Sequence, residues 1–163
     1  PQGSVLGPMA EVVFRSTQYL TDADARAMAV YLQALPQQDR KEPATVAAPP
    51  ASAMARGSKV YEQQCAQCHG DQGQGEPGAF PALAGNRAVM LADPTNLVRV
   101  VLQGGYLPAT AGNPRPHGMP PFQHLLADED VAAVASYVRA SWGNQAGAVA
   151  TIDVYRARER RGP

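Results

Sequence analysis

Apolar residues recur at three- and four-residue steps in several stretches, each bounded by residues that start or stop helices. Met28, Tyr31, Leu32 and Leu35 share one face, which is the spacing of an amphipathic helix. Thr21-Asp22 supply an N-cap pair and Pro36 ends the run, so a helix is predicted from about Thr21 to Leu35. Leu97, Val98, Val101 and Leu102 form a second apolar face, opened by Asp93-Pro94 and closed by Gly104-Gly105. Proline suits a first helical turn, where its missing N–H would have no partner anyway. A further helix is predicted from about Met54 to Ala66, turning Val60 and Tyr61 to the core. The last starts at Asp128 and runs to about Trp142, stopped by Gly143-Asn144. Glycines crowd residues 70–78 and five prolines fall within 106–122, so both stretches read as loops. No convincing strand appears, and the expected class is all-α.

These elements divide the chain into three blocks. Residues 1–35 contain one good helix, 36–52 read as linker, and 53–163 hold a compact domain. The linker contains Pro36, Pro43, Pro49 and Pro50 and no sustained apolar period, a composition that stays extended and exposed. The helix of the first block reappears in the third. Leu20–Leu35 aligns without gaps on Leu126–Ser141, with identity at Leu20/Leu126, Asp22/Asp128, Asp24/Asp130, Ala27/Ala133, Ala29/Ala135, Tyr31/Tyr137 and Ala34/Ala140. Each copy also follows a methionine, Met9 or Met119. Alanine-rich amphipathic helices can resemble one another by chance, but the shared aspartates, tyrosine and upstream methionine favour repetition. The first block is therefore expected to be the end of a preceding, similar domain.

Composition narrows the function. Lys plus Arg and Asp plus Glu both total 14, a balance that gives nucleic-acid binding no support. Hydrophobic residues at 45% suffice for a core. No apolar run approaches the roughly 18 residues of a membrane span, and Pro1 to Gly7 do not read as a signal peptide.

Cys65-Ala-Gln-Cys68-His69 carries the chemistry. Two thiols three positions apart can each add to one vinyl group of a single porphyrin, placing His69 as the proximal iron ligand. A zinc site is the first rival, but it needs a second ligand pair at metal-like spacing. His117 and His124 are the only other histidines, and there is no third cysteine. A thioredoxin-like pair is the second rival, and the alternating strands and helices it needs are missing. A proximal imidazole is normally oriented through its other ring nitrogen. The carbonyl of Pro81, in Pro81-Ala-Leu83-Ala-Gly85, is the candidate acceptor, though the residue also fits an ordinary turn proline. Met119 is the candidate sixth ligand, held among prolines in Pro116-His-Gly-Met-Pro-Pro-Phe122. A thioether there raises the reduction potential; the competing readings are core filler, or His117 or His124 in its place. Leu83, Leu97, Val101 and Phe122 are candidate pocket walls or plain core. Met9 has no upstream attachment motif of its own, and reads as a residue without a ligand role in this chain.

Residues 53–142 resemble a class I cytochrome c domain, on Cys65-Ala-Gln-Cys68-His69, Pro81-Ala-Leu83, Met119-Pro-Pro-Phe122 and a last helix with Tyr137. In that family the first and last helices cross closely, and Gly57, Tyr61, Val134 and Tyr137 are the matching positions. Gly7-Pro-Met-Ala-Glu-Val-Val13, Ser16-Thr-Gln-Tyr-Leu20 and Ser141-Trp-Gly-Asn144 are similar to the multihaem subunits of bacterial membrane-bound dehydrogenases for alcohols, gluconate, aldehydes or nicotinate. Such subunits string three domains together, whereas this chain has a single attachment motif. The resemblance implies one haem c and electron transfer without catalysis. It implies periplasmic location, with peripheral membrane association in a longer protein. The partners implied are a dehydrogenase subunit as donor and a quinone, an oxidase or another cytochrome as acceptor. Haem peroxidases and gas sensors with a labile sixth ligand are the competing class. The tail Arg156-Ala-Arg158-Glu-Arg160-Arg161 reads as solvated and frayed, with an anionic partner or lipid surface as the other reading.

Overall fold

The computed structural model describes residues 4–36 and 47–159; most of the expected linker and the last two arginines of the tail lie outside these. The chain forms α1 (Pro8–Arg15), a 3-10 turn (Thr17–Tyr19), α2 (Asp22–Ala34), α3 (Ala51–Gln64) and the one-turn α4 (Ala66–His69). It continues with α5 (Thr95–Gln103), β1 (Gly105–Tyr106), β2 (Gly118–Met119), α6 (Asp128–Ala140) and α7 (Thr151–Glu159). The class is all-α, as expected, with one small addition. β1 and β2 pair antiparallel, Gly105 opposite Met119 and Tyr106 opposite Gly118, closing the proline-rich loop at its base.

α3 and α6 cross at the centre of the haem-motif domain. A Cβ on Gly57 would lie 2.3 Å from the Ala133 carbonyl oxygen and 2.7 Å from the Tyr137 Cβ, so only glycine permits this approach. Around the crossing, Val60, Tyr61, Val89, Val134 and Val138 form one buried cluster. Val98, Leu102, Val131, Val149 and Val154 form a second, on the far side of α6. Arg139 is buried between them at 3% exposure. Its guanidinium donates to the carbonyls of Gly147, Val89 and Leu91 at 2.8 Å each, which satisfies most of its donor capacity inside the core.

The helix caps follow the local sequence. Thr21 Oγ1 accepts from Asp24 N at 3.1 Å, and Asp93 Oδ1 accepts from Thr95 N at 2.8 Å. Asp130 Oδ2 accepts from Ala127 N, so the α6 cap is Ala127 with Asp130, rather than Asp128. α3 starts at Ala51, inside the stretch expected to be linker, and stops at Gln64, short of Ala66.

Three expectations need correction. The first block holds two helices rather than one, because Pro8 opens a short α1. α2 buries none of its residues; Met28, Tyr31, Leu32 and Leu35 all face solvent, Tyr31 at 66%. Its amphipathic face is therefore exposed rather than buried. The tail is not simply frayed. α7 buries Val154 and Ala157 against α5 and α6, and Arg158 donates to Asp128 and to the carbonyls of Gln123 and Leu126.

Candidate haem-binding site

The attachment motif is built by a break in a helix. α3 ends at Cys65, whose φ of −121° leaves helical geometry, and α4 then adds one turn that carries Cys68 and His69. The amides of Cys68 and His69 both donate to the Cys65 carbonyl, at 3.2 and 2.9 Å. Cys65, Cys68 and His69 are all half-buried, and the two thiols are unbridged. Burial, reinforced by Cys68, pushes the Cys65 thiol up to about 11. Among the described residues no group of three or more His, Cys, Asp or Glu is placed to hold a metal ion.

His69 Nδ1 lies 2.9 Å from the Pro81 carbonyl oxygen. A carbonyl can only accept, so Nδ1 carries the proton and Nε2 keeps its lone pair. Burial holds the imidazole below its ordinary pKa, and the Pro81 bond opposes this in part. The ring is thus neutral, oriented, and free to ligate through one nitrogen. Pro81 is fixed from behind. The amides of Leu83 and Ala84 donate to the Gly73 carbonyl. Asn144 Nδ2 donates to the carbonyls of Leu83 and Val138, and its Oδ1 accepts from Gly85 N. Asn144 therefore ties the Pro81 loop to the end of α6. In sequence it reads only as a helix stop after Gly143, and nothing there signals this second duty. Tyr61 is a second support, its hydroxyl donating to the Gly70 carbonyl at 2.6 Å. Trp142 and Tyr137 pack on the Tyr61 ring.

Met119 is half-buried on β2. Gly104, at φ +69°, lets α5 end against it: a Cβ there would meet the Met119 carbonyl oxygen at 2.3 Å. On its other side the loop is held by Phe122 N to Val101 O and Gln123 N to Leu102 O, at 3.1 and 3.0 Å. The rival His117 is exposed and stacks on Phe80, ring centroids 4.8 Å apart. That contact brings the Met119 loop beside Phe80-Pro81. His124 is exposed in the turn before α6. Met9 stands on α1 at 58% exposure. Of the candidate walls, Phe122 is buried, and Leu83, Leu97 and Val101 are half-buried. Two free thiols, an imidazole with one nitrogen engaged, a half-buried thioether and partly covered aliphatic walls are the donor set and lining that a covalent haem requires.

Residues 54–142 match the family model described as cytochrome c. The chain is 38% identical, over 98% of its length, to the cytochrome c subunit of alcohol dehydrogenase (quinone) from Gluconobacter oxydans, spanning 35% of that protein. It is 36% identical over 91% of its length to the gluconate 2-dehydrogenase cytochrome c subunit of Pantoea cypripedii, again spanning 35% of it. Cytochrome c-552 of Thermus thermophilus is 39% identical over 58% of the chain and 65% of its own length. The chain thus spans about a third of the length of the dehydrogenase subunits it matches. The central helix crossing, the attachment motif and the family match agree: this chain belongs to the cytochrome c family.

Proposed function

We propose that the chain carries one haem c, tethered by Cys65 and Cys68 and ligated by His69 and Met119, and relays electrons from a dehydrogenase towards the respiratory chain. As a cytochrome c it is an electron carrier, not a catalyst, and family membership implies a covalently bound haem. The observation that carries the ligand assignment is the His69–Pro81 hydrogen bond. It leaves Nε2 as the only available nitrogen of a histidine that directly follows the second cysteine. When bound, the haem supplies one-electron Fe(III)/Fe(II) cycling.

The chain's own residues make that cycling efficient. His69 is held in one tautomer by Pro81, so its ligating atom does not reorient between redox states. Met119 is fixed from both sides of its loop by Gly104, Phe122 and Gln123. A soft thioether favours the ferrous state and raises the potential. Leu83, Leu97, Val101 and Phe122 keep water from the pocket, which limits solvent reorganisation. His69 and Met119 would both hold the iron, which would leave a peroxide or a gas without a ready place to bind.

The wider setting follows from the same reading. Residues 1–35 are the closing helices of a preceding, similar domain, joined by the stretch from residue 36 to the domain whose first helix, α3, starts at Ala51. The repeat supports this, as does the exposed α2, whose counterpart α6 is packed against α3. The donor is a dehydrogenase subunit and the acceptor a quinone, an oxidase or another cytochrome. The site of action is the periplasmic face of the bacterial inner membrane. No described helix is long and apolar enough to cross a membrane, so attachment there is peripheral or through other chain segments. A pyridine haemochrome spectrum against protein concentration tests the core of the proposal. One haem per chain with both vinyls saturated is expected; a free-vinyl spectrum or a different ratio overturns it.

A further inference from the structure

One short segment, residues 4–18, touches both of the loops that bear the proposed iron ligands. Ser4 Oγ accepts from Asn86 Nδ2 at 3.2 Å, and that same nitrogen donates to the Ala82 carbonyl at 2.8 Å. Ser4 is thereby fastened to the loop that begins at Pro81. Two residues on, Leu6 covers Gly105: a Cβ there would lie 3.2 Å from Leu6 Cδ2, and Gly105 is the residue paired with Met119. Gln18 Nε2 then donates to the Ala109 carbonyl at 3.4 Å, further along the same loop. Between these contacts the half-buried positions are Leu6, Ala10 and Val13, while Met9, Val12 and Phe14 are exposed. Ala10 and Val13, three residues apart, share one face of α1, so α1 lies with that face turned inward, while Leu6 belongs to the segment leading into it.

The hairpin under this segment has little strength of its own. Each strand is two residues long, and a two-stranded hairpin is marginal in water. Its β2 side is held to α5 through Phe122 and Gln123. On the β1 side, the contacts to Gly105 and Ala109 come from Leu6 and Gln18. Elements with few buried contacts open locally at low cost.

We propose that residues 4–18 are a strap, in which Leu6 and Gln18 are positioning residues that keep the β1–β2 hairpin closed and so hold Met119 on the iron. The proposal rests on the His69/Met119 reading above. Opening the hairpin releases the thioether, and an external ligand then competes for the iron in proportion to the open population.

The test is an imidazole titration of the ferric holoprotein, full chain, followed by loss of the weak sulfur-to-iron absorption at the red end. In the double variant Leu6→Ser, Gln18→Ala the apparent imidazole affinity rises about fivefold, the factor for a kilocalorie-scale loss of contacts. The reduction potential falls with it. Val12→Ser, on the exposed side of α1, behaves as the unaltered chain. Should the double variant fail to accumulate, Gln18→Ala alone decides, with a rise of about threefold for one hydrogen bond. Unchanged affinity in the deciding variant, over an unaltered chain that shows the red absorption, overturns the strap alone. An unaltered chain lacking that absorption overturns the ligand reading, and the strap falls with it.

Discussion

Replacing Gly57 by alanine adds one methyl group at the point where α3 and α6 are closest. The new Cβ would sit 2.3 Å from the Ala133 carbonyl oxygen, 2.8 Å from its carbon and 2.7 Å from Tyr137 Cβ. Two of those three neighbours are backbone, so no rotamer change makes room and the helices must separate. Overpacking costs about 1–3 kcal/mol, and contact with a rigid carbonyl belongs at the upper end. Alanine regains about 1 kcal/mol of helix propensity over glycine. The net loss is therefore about 2 kcal/mol, which lowers the melting temperature of a domain of this size by about 10 °C. The displacement also reaches the site, because α3 runs directly into Cys65. The assay is thermal unfolding of the holoprotein by circular dichroism, with Lys59→Ala, a less buried α3 position, as control. A melting temperature for Gly57→Ala at or above that of the unaltered chain refutes the reasoning.

Four further outcomes follow from named contacts. Asn144→Ala removes three hydrogen bonds around the Pro81 loop; it should cost about 2–3 kcal/mol in denaturant unfolding and broaden the His69-linked signals in paramagnetic NMR. Arg139→Met leaves the carbonyls of Gly147, Val89 and Leu91 without their donor and should cost about 3 kcal/mol by the same measurement. Tyr61 titrates above its ordinary range, chiefly because burial disfavours its charged form. A raised folded pKa means its contribution is full below about pH 10 and is lost as pH climbs beyond, so Tyr61→Phe should flatten the alkaline fall in melting temperature. Met119→Ala should abolish the red-end absorption and lower the potential in a spectroelectrochemical titration, whereas His117→Ala should leave both in place.

Where a motif and a packing requirement coincided, the sequence was readable. Val60 and Tyr61 precede Cys65 at helical spacing and are buried, and Asp93-Pro94 immediately precede α5, with Pro94 just outside its first turn and Asp93 Oδ1 accepting from Thr95 N. The family was legible because the attachment motif sets three residue types, Cys65, Cys68 and His69, at fixed offsets. Pro81 carried only a weak local signal, and its hydrogen bond to His69 depends on a loop folding back across twelve residues. α7 was missed for a physical reason. Thr151–Glu159 is mostly polar, with Val154 and Ala157 its only fully buried residues, and its arginines suggested a solvated tail. Arg158 instead closes on Asp128 and two carbonyls, a long-range pairing that composition does not announce. α2 misled in the opposite direction. Its three- and four-residue apolar spacing does make a helix, but Met28, Tyr31, Leu32 and Leu35 stay exposed rather than packed.

The central claim is covalent: one haem held by Cys65 and Cys68. Proteolytic digestion of the mature holoprotein under denaturing conditions, followed by mass spectrometry of the fragment spanning Cys65–His69, addresses it most directly. The fragment should carry the added mass of one haem, retained after acid and organic extraction and lost when both cysteines are replaced by alanine. A fragment with two unmodified thiols, or with the cysteines joined as a disulfide, would contradict the account.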